Sequence, residues 1–374
     1  MSQPELRSAA DHRRAFLVGV SLPGQPPLVV EEHLDELAEL AVSDGLEVVG
    51  RTRQSRRSPD ARTFIGRGKV EELGAAAEEL GADLIVFDDD LTPGQVKNLE
   101  QMLDATVIDR SALILDIFAE RARTSEARTQ VELAQLNYLL PRLARRWTHL
   151  SRQVGGIGVR GGEGEKQIEA DRRMVRTRIR QLTKQLAKIE RSRSVQRKGR
   201  RGARVVSLAG YTNAGKSTLF NRLTRAGARV EDRLFATLDS KLRQGALDGA
   251  GSTVVFADTV GFIRKLPHHL VASFRSTLGE IARGDLVLHV IDRSHPQWQE
   301  QMEVGREVLQ ELGVEPADVI TVFNKIDVLG NGGPPDGGGL SADGAVRVSA
   351  RTGRGVEELK GEIARRLAVV RRDG

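Results

Sequence analysis

The chain has 374 residues, of which 39% are hydrophobic and none is cysteine. This length indicates two or three domains, and the lack of cysteine excludes disulfides, thiolate metal sites and thiol nucleophiles. The longest apolar runs, such as Leu286 to Ile291, are too short to span a bilayer, and the N-terminus lacks a long apolar segment. We therefore expect a cytoplasmic protein with no integral membrane span.

The net charge of +6 conceals an uneven distribution. Residues 1–120 carry 12 basic and 23 acidic side chains, residues 121–204 carry 23 and 7, and the remainder carries 22 and 21. A basic segment of this kind is typical of contact with a polyanion. A solvated helical surface is the alternative, but the excess is larger than solubility requires, so we favour nucleic-acid contact.

The first third of the chain, from Ala15 to Ile108, alternates short β-branched runs with helical patterns. This rhythm is typical of βα units on a mostly parallel sheet. We predict an N-terminal α/β domain over residues 1–115.

Beyond Arg110 the sequence predicts helices. Apolar residues recur at spacings of three and four over 133–150 and again over 168–189, where only Arg172 interrupts the pattern. Six glycines between Gly155 and Gly164 break the helical pattern between the two stripes. We predict an antiparallel helical hairpin, a coiled coil, over residues 116–201 with its tip at 155–164, and expect Pro141 to kink the first arm.

Arginines crowd both arms of this hairpin, including Arg178 on the second arm. A hairpin that only packs on its neighbours is the alternative to RNA binding. The candidate RNA-binding residues are Arg145, Arg146, Arg152, Arg160, Arg172, Arg173, Arg176 and Arg180.

The remaining residues, 202–374, are predicted to form a P-loop domain with a mainly parallel sheet. The apolar run "RVVSLAG" leads into a G-x-x-x-x-G-K-[ST] motif that is followed by a helical pattern. Backbone N–H groups of such a loop wrap a β-phosphate, Lys216 reaches the β- and γ-phosphates, and Ser217 binds Mg²⁺. A chance glycine-rich turn is the alternative. The predicted phosphate-binding residues are Gly210, Tyr211, Thr212, Asn213, Ala214, Gly215, Lys216, Ser217 and Thr218.

Two further segments fit the same site. A hydrophobic strand ends at Asp258, which is predicted to hold Mg²⁺ through a water, and the N–H of Gly261 is placed to sense the γ-phosphate. Thr237 lies twenty residues after Ser217 and is predicted to reach Mg²⁺ only when the γ-phosphate is present, which makes it a switch. These segments add Phe235, Ala236, Thr237, Leu238, Asp239, Asp258, Thr259, Val260 and Gly261 to the nucleotide site.

The base is predicted to be guanine. The strand "VFNKID" ends in Asn324, Lys325, Ile326 and Asp327, and the Asp327 carboxylate can accept from guanine N1–H and the N2 amine, which adenine lacks. Lys325 is expected to lie along the base. A loop N–H is expected to bind the guanine carbonyl oxygen in the segment Ser349, Ala350 and Arg351.

The strings "GYTNAGKSTLFNRLT", "LFATLD", "DTVGFI", "AQLNYLLPRL" and "GGIGVRGGEGEKQIEADRR" resemble the HflX family of ribosome-associated GTPases. The resemblance implies a GTP-dependent factor that binds the large (50S) ribosomal subunit, splits or rescues stalled ribosomes under stress, and hydrolyses GTP faster on that subunit. It also implies that the tip at 155–164 approaches the peptidyl-transferase region. The C-terminal domain of some members is expected to be absent. Ser240 and Lys241 stand where many members have a proline.

Hydrolysis is expected to be slow without help, because Phe262 stands where small signalling GTPases carry a water-orienting glutamine. A partner, a second side chain or a monovalent cation must supply the missing group. In related GTPases an asparagine at the position of Asn213 helps to hold K⁺, and a neutral filler residue is the alternative. The predicted catalytic residues are Lys216, Thr237, Gly261 and Asn213.

Two hypotheses about the function remain open. The first is a GTP-driven switch that acts on ribosomes as a monomer, and the second is an RNA-binding ribosome-assembly factor that GTP only regulates. A metabolic P-loop kinase is disfavoured by Asn324 and Asp327. The string "GRGK" at Gly66 to Lys69 is interpreted as a turn that opens a helix and not as an ATP site.

Overall fold

The computed structural model describes residues 14–143, 163–198, 204–224, 234–235, 237, 241–247, 254–265, 279, 281–329, 339–340 and 344–369. These residues form two units, each built on its own sheet. Residues up to Glu120 together with 128–186 make the first unit, and residues 121–127 together with those from 187 onward make the second.

The first unit contains a four-stranded parallel sheet, as the alternating pattern predicts. Its order is β2-β1-β3-β4, and all the pairings are parallel. The inner strands are continuous apolar runs because helices cover such a sheet on both faces. The strands are β1 (Arg14–Ser21), β2 (Glu47–Ser55), β3 (Leu84–Phe87) and β4 (Thr106–Asp109). The helices are α1 (Pro27–Ser43), α2 (Arg67–Glu79), α3 (Pro93–Leu103) and α4 (Arg110–Arg121).

Local sequence explains where these helices begin. Thr92 and Gln95 form a reciprocal capping box ahead of α3, with Pro93 in its first turn. Gly66 precedes the first residue of α2 in an extended conformation, and its N–H donates to Gln54 Oε1 at 2.8 Å. The prediction that a helix opens within "GRGK" is confirmed, with Gly66 in extended conformation ahead of it.

A buried polar network lies at the carboxyl end of β4. Asp109 Oδ1 accepts from the Tyr138 hydroxyl and the Ala112 N–H, both at 2.9 Å, while Oδ2 accepts from Arg142 Nη2 at 2.8 Å. The Arg142 guanidinium also stacks 3.5 Å from the centre of the Tyr138 ring. Burial raises the pKa of Asp109, and the charge of Arg142 opposes that rise. The network fastens the C-terminal half of the next helix, α5 (Ser125–Leu139), to the sheet.

The predicted hairpin arms are seen in part. The second arm is one continuous helix, α6 (Glu163–Lys198), and Arg178 on it forms a two-point ion pair with Glu132 of α5, at 2.6 and 2.9 Å. At Pro141, where a kink is expected, the helix is interrupted: α5 ends at Leu139 and Pro141 lies in the turn that follows. Proline lacks the N–H for the helical hydrogen bond and disfavours helical backbone at the residue before it. Residues 155–162 of the predicted tip and the part of the first stripe beyond Leu143 lie outside the described residues, whereas Glu163 and Gly164 begin α6.

The second unit contains a seven-stranded sheet in the order β10-β11-β9-β8-β5-β7-β6. The inner pairings are parallel, and β6 and β10 pair antiparallel at the two edges. This confirms the predicted mainly parallel sheet. The strands are β5 (Arg204–Gly210), β6 (Lys241–Gly245), β7 (Val254–Asp258), β8 (Leu286–Asp292), β9 (Val319–Asn324), β10 (Gly339–Leu340) and β11 (Val346–Arg347).

The helices of this unit cover a core of aliphatic and phenylalanine side chains that includes Leu219, Phe220 and Phe256. Parallel strands place their carboxyl ends at one edge, so the loops after β5, β7, β8 and β9 meet there. Within the described residues, no helix is both long and apolar enough to cross a membrane. The helices are α7 (Lys216–Thr224), α8 (Trp298–Glu311), a 3₁₀ turn (Pro316–Asp318) and α9 (Val356–Val369).

His289 is a buried titratable group in this core. It lies in β8, is 1% exposed, and its Nε2 has no hydrogen-bond partner among the described residues. Burial, together with the positive charges of Arg306 and Lys216, lowers the pKa of His289 to about 4. The imidazole is therefore neutral at physiological pH.

We predict that acid destabilises the second unit through His289. The unfolded chain takes up this proton at about pH 6.5 and the folded chain only at about pH 4, so stability falls as the pH drops through that window. Denaturant unfolding of the wild-type protein and of His289→Leu at several pH values isolates this residue, because the other groups titrate alike in both. The wild-type protein should lose stability relative to the variant on acidification. A stability difference that does not change with pH would contradict the prediction.

Candidate nucleotide site

The phosphate loop connects the end of β5 to the start of α7. Gly215 has φ +88°, and a Cβ there would lie 2.3 Å from Asn324 Nδ2. Asn213 has φ +60°, a left-handed conformation that asparagine adopts more readily than most residues, and it is exposed. The motif residues therefore suit the backbone path of this loop.

Lys216 is buried beneath the loop. Its Nζ donates to the carbonyl oxygens of Gly210 at 3.0 Å and Tyr211 at 2.7 Å. Burial lowers the pKa of Lys216 to about 8, and the charge of Asp258 opposes that shift. An ammonium desolvated in this way interacts strongly with an anion, because the local dielectric is low.

The three predicted Mg²⁺ residues lie together. Ser217 Oγ donates to Asp258 Oδ2 at 2.7 Å, Thr237 Oγ1 donates to the same oxygen at 3.1 Å, and the two hydroxyl oxygens are 3.0 Å apart. Asp258 is fully buried, and its Oδ1 has no hydrogen-bond partner among the described residues. Two hydroxyls and a carboxylate with a free oxygen form a set of hard oxygen donors, which is what Mg²⁺ prefers.

The segment after Asp258 is bonded to the phosphate loop. Phe262 N donates to Gly210 O at 2.9 Å, and Thr212 N donates to Phe262 O at 2.7 Å, so the two segments form a short parallel bridge. Gly261 fits in this bridge because a Cβ there would come within 2.7 Å of Thr212 Cα. The side chain of Phe262 is fully buried. Phe262 therefore anchors the segment to the core, a role that sequence reasoning missed.

Asn324 joins the phosphate loop to the loop after β11. Its Nδ2 donates to Ala214 O at 2.9 Å, and its Oδ1 accepts from Ala350 N at 2.9 Å. The side chain is 1% exposed. One buried amide thus fixes the distance between the predicted phosphate-binding and base-binding segments.

Asp327 faces the same loop. Its carboxylate accepts from Ser349 Oγ at 2.6 Å and from the Arg351 guanidinium. Burial alone would raise the pKa of Asp327, but the hydrogen bonds from Ser349 and Arg351 hold it below its ordinary value. The N–H groups of Ser349 and Ala350 donate to Arg354 O and Asn324 Oδ1, so both have acceptors within the protein.

Other predicted residues fall around this core of the site. Thr259 Oγ1 donates to Leu208 O at 2.6 Å, and Ile326 N donates to Val348 O at 3.4 Å. Phe235 N donates to Thr212 Oγ1 at 3.0 Å. Two further predicted residues are described by their burial alone. Val260 is buried, and Thr218 is half-buried in α7. The predicted residues outside the described part of the chain are Ala236, Leu238, Asp239, Arg145, Arg146, Arg152 and Arg160.

The remaining RNA-binding candidates lie on α6. Arg173, Arg176 and Arg180 are exposed, whereas Arg172 is half-buried and its Nε is buried without a hydrogen-bond partner among the described residues. Arg172 occupies a position in the apolar stripe, which explains its burial. The three exposed arginines are the ones available to a partner.

Three residues that were not predicted from the sequence also contribute contacts to the candidate nucleotide site. Arg222 of α7 donates to Ala350 O at 3.0 Å and Arg351 O at 2.5 Å. Arg121 donates to Leu234 O, in the segment that leads to Thr237. Asp292 ends β8 and forms an ion pair with Lys325. Only Asp292 carried a signal, since an acid ends this apolar strand as Asp258 ends β7.

We predict that Asn324→Ala weakens guanine-nucleotide binding at least about tenfold and lowers stability by about 2 to 4 kcal/mol. The substitution leaves the buried Ala214 carbonyl and Ala350 N–H without their partner. Titration with a fluorescent GDP analogue and denaturant unfolding measure the two effects. Thr352→Ala, an exposed residue of the same loop, is the control. Wild-type behaviour of the Asn324 variant in both assays would show that the bridge contributes little.

Three family profiles match consecutive parts of the chain. The profile described as GTP-binding GTPase N-terminal matches residues 31–119, and the one described as GTP-binding GTPase Middle Region matches residues 121–200. The profile described as 50S ribosome-binding GTPase matches residues 205–325.

Curated relatives match over most of the length. GTPase HflX of Magnetococcus marinus is 49% identical over 354 residues, which are 94% of this chain and 82% of the relative. GTPase HflX of Escherichia coli is 47% identical over 340 residues, or 90% of this chain and 79% of the relative. The solved GTP-binding protein from Sulfolobus solfataricus in complex with GDP is 23% identical with a TM-score of 0.46, over 96% of this chain and 99% of that chain. Because almost half of the residues are identical to those of the two HflX proteins along nearly the whole chain, this chain belongs to the HflX family of GTPases.

Proposed function

We propose that this GTPase acts on the large ribosomal subunit in the cytoplasm, as a monomer, and that it splits or rescues stalled ribosomes under stress. The observation that carries the GTP-dependent part of the proposal is the contact of Ser217, Thr237 and Asp258 within one cluster. It joins the phosphate loop, the segment of Thr237 and the end of β7. The description of the matching profile as a 50S ribosome-binding GTPase supports the choice of partner.

Mg²⁺ fits this cluster. The free Oδ1 of buried Asp258 and the hydroxyls of Ser217 and Thr237 would hold the ion, directly or through water. When bound, Mg²⁺ neutralises charge on the β- and γ-phosphates. Thr237 would leave its hydrogen bond to Asp258 to take part, so its position would report whether the γ-phosphate is present.

The chain's own residues supply the rest of the chemistry. Lys216 would exchange two carbonyl acceptors for phosphate oxygens, and a neighbouring anion would restore its ordinary affinity for the proton. The N–H of Gly261 would sense the γ-phosphate. Asp327, kept ionised by Ser349 and Arg351, would accept from guanine N1–H and the N2 amine. We assign base selection to this carboxylate.

Slow intrinsic hydrolysis follows from the placement of Phe262. Its side chain is buried in the core and cannot orient a water. Asn213 lies exposed in the phosphate loop, where its amide oxygen is available to a monovalent cation. We therefore propose that K⁺ at Asn213 and the large subunit together supply what Phe262 lacks.

A basic stripe on α6 supports contact with ribosomal RNA. Arg173, Arg176, Arg180 and Lys184 follow one another at spacings of three and four, so they share one face of the helix, and all four are exposed. Lys188 and Arg191 continue the spacing. Arg178 faces Glu132 instead. Such a stripe can neutralise successive phosphates of a folded RNA, and the tip at 155–164 would extend toward the peptidyl-transferase region.

We predict slow GTP turnover by the protein alone and strong stimulation by purified large subunits in K⁺ buffer, with no turnover of ATP. The reason is that Phe262 leaves the attacking water without a side-chain partner until the subunit and K⁺ act. Phosphate release measured in K⁺ and in Na⁺, with wild-type protein and with Asn213→Ala, tests both elements.

The outcomes of this assay distinguish the ribosome-activated GTPase from the RNA-binding assembly factor. If the wild-type protein and Asn213→Ala each release phosphate at the same rate in K⁺ and in Na⁺, the proposed role of K⁺ is wrong. Normal GTP binding without stimulation by large subunits would favour the RNA-binding assembly factor. Dissociation of intact ribosomes into subunits, followed by light scattering, then tests the splitting activity, which should require GTP.

We predict that the triple substitution of Arg173, Arg176 and Arg180 by alanine weakens binding to the large subunit. The slope of log affinity against log salt should become shallower by up to about 3, because up to three phosphate contacts are lost. Sedimentation with large subunits at several salt concentrations measures this slope.

The matched control removes three exposed arginines from the first unit, Arg57, Arg62 and Arg67. It changes the net charge equally and should leave the slope near that of the wild-type protein. Equal losses in the two triple variants would mean that net charge, and not the stripe, determines binding.

A further inference from the structure

Asp292 lies beside the predicted base-binding segment and has no role in the motifs. It is the last residue of β8 and pairs in register with Asn324 of β9, so it stands next to Lys325 across the sheet. We propose that Asp292 is the positioning residue of the base site, because it holds the Lys325 ammonium in place for the guanine ring. This inference rests on the proposed function in one respect, the assignment of Lys325 to the base.

The contact is direct and partly shielded from water. Asp292 Oδ2 and Lys325 Nζ are 2.7 Å apart, and their side chains are 11% and 29% exposed. Lys325 has φ +60°, a left-handed conformation that is uncommon for lysine. The ion pair therefore holds a side chain that leaves the backbone in an unusual direction, and a charge-assisted bond of this geometry is stronger than an exposed surface pair.

The second oxygen of the carboxylate fixes Asp292 itself. Oδ1 accepts from Ser294 N at 3.0 Å and from Ser294 Oγ at 2.6 Å, which closes a tight turn after the strand. Both oxygens are thus used, one for the turn and one for Lys325. The carboxylate cannot rotate away from Lys325 without breaking the turn.

Neighbouring contacts keep this turn against β9. Arg293 N donates to Asn324 O at 3.0 Å, and the Arg293 guanidinium stacks 4.2 Å from the centre of the Trp298 ring. Trp298 in turn packs edge-on against Phe323 of β9, with ring centres 5.5 Å apart. The turn and the base-binding segment therefore move as one piece, which is what a positioning residue requires.

Lys325 benefits from being held because a free lysine side chain has many rotamers. Ordering such a side chain on binding costs up to about 2 kcal/mol of conformational entropy. An ion pair formed before the ligand arrives removes part of that cost, and preorganisation of this kind appears as tighter binding.

The substitution Asp292→Asn separates the two functions of the carboxylate. The amide oxygen can still accept from Ser294 and preserve the turn, while the amide NH₂ replaces the oxygen that faces Lys325. Ser294→Ala is the matched control, since it removes one bond of the turn and leaves the ion pair.

The experiment is a double-mutant cycle on GDP affinity with Asp292→Asn, Lys325→Gln and the double variant, in the full chain. We expect each single variant to weaken GDP binding about tenfold, as loss of a charge-assisted bond implies. The double variant should be no weaker than Lys325→Gln alone. Ser294→Ala should change affinity much less than Asp292→Asn, and the thermal midpoint of Asp292→Asn should stay close to that of the wild-type protein.

Three outcomes would overturn the inference: unchanged GDP affinity in Asp292→Asn, additive losses in the double variant, or a loss of affinity that follows a fall in thermal midpoint. The proposed function is tested by a separate arm, binding of GDP and ADP to the wild-type protein and to Asp327→Asn. If the wild-type protein prefers GDP and Asp327→Asn loses that preference, the proposed base recognition is supported. The double-mutant cycle then tests the role of Asp292 alone. If the wild-type protein binds neither nucleotide, the proposed function fails first.

Discussion

The nucleotide site depends on a buried amide, that of Asn324. It donates to the carbonyl of Ala214 in the phosphate loop and accepts from the N–H of Ala350, two backbone groups that belong to distant parts of the chain. Because an unsatisfied buried polar group is costly, these three partners keep their arrangement in the folded protein. Gly215 belongs to the same constraint, since any side chain there would occupy the space of the Asn324 amide. Residues that would bind phosphate and residues that would select the base are thereby set at one spacing before a ligand arrives.

A second constraint acts on the part of the site that we propose to respond to the nucleotide. Ser217 and Thr237 both point hydroxyls at one oxygen of Asp258, while the next segment is bonded to the phosphate loop through Phe262. The side chain of Phe262 belongs to the core, so this segment has a fixed end. Thr237 joins this cluster through its hydroxyl, which lies 3.0 Å from Ser217 Oγ and 3.1 Å from Asp258 Oδ2. The proposed γ-phosphate side thus contains hydroxyl contacts that a ligand can exchange, whereas the proposed base-binding side is held by the buried Asn324 amide.

The architecture and the positions of the motifs could be predicted from the sequence, because both depend on local patterns. Apolar runs ending in Asp258 and Asn324 predicted β7 and β9, which belong to the same sheet, and the glycine motif predicted the turn into α7. What could not be predicted depends on residues that are distant in sequence and close in space. Asn324 reaches Ala214 across 110 positions, and Phe262 is an anchor only because β5 lies beside it. Pro141 shows the limit of local rules, since the same chemistry permits a kink or an end, and α5 ends at Leu139.

The network around Asp109 has a mechanical consequence for the first unit. Hydrogen bonds from the Tyr138 hydroxyl and from Arg142 Nη2 to Asp109, with the guanidinium stacked on the Tyr138 ring, connect the end of β4 to the point where α5 ends. A helix that met the sheet only through aliphatic contacts could slide or roll, because such contacts have no preferred direction. Hydrogen bonds have preferred directions, and a buried set has no water to replace a lost partner. The buried network therefore resists sliding of the end of α5 against the sheet of this unit.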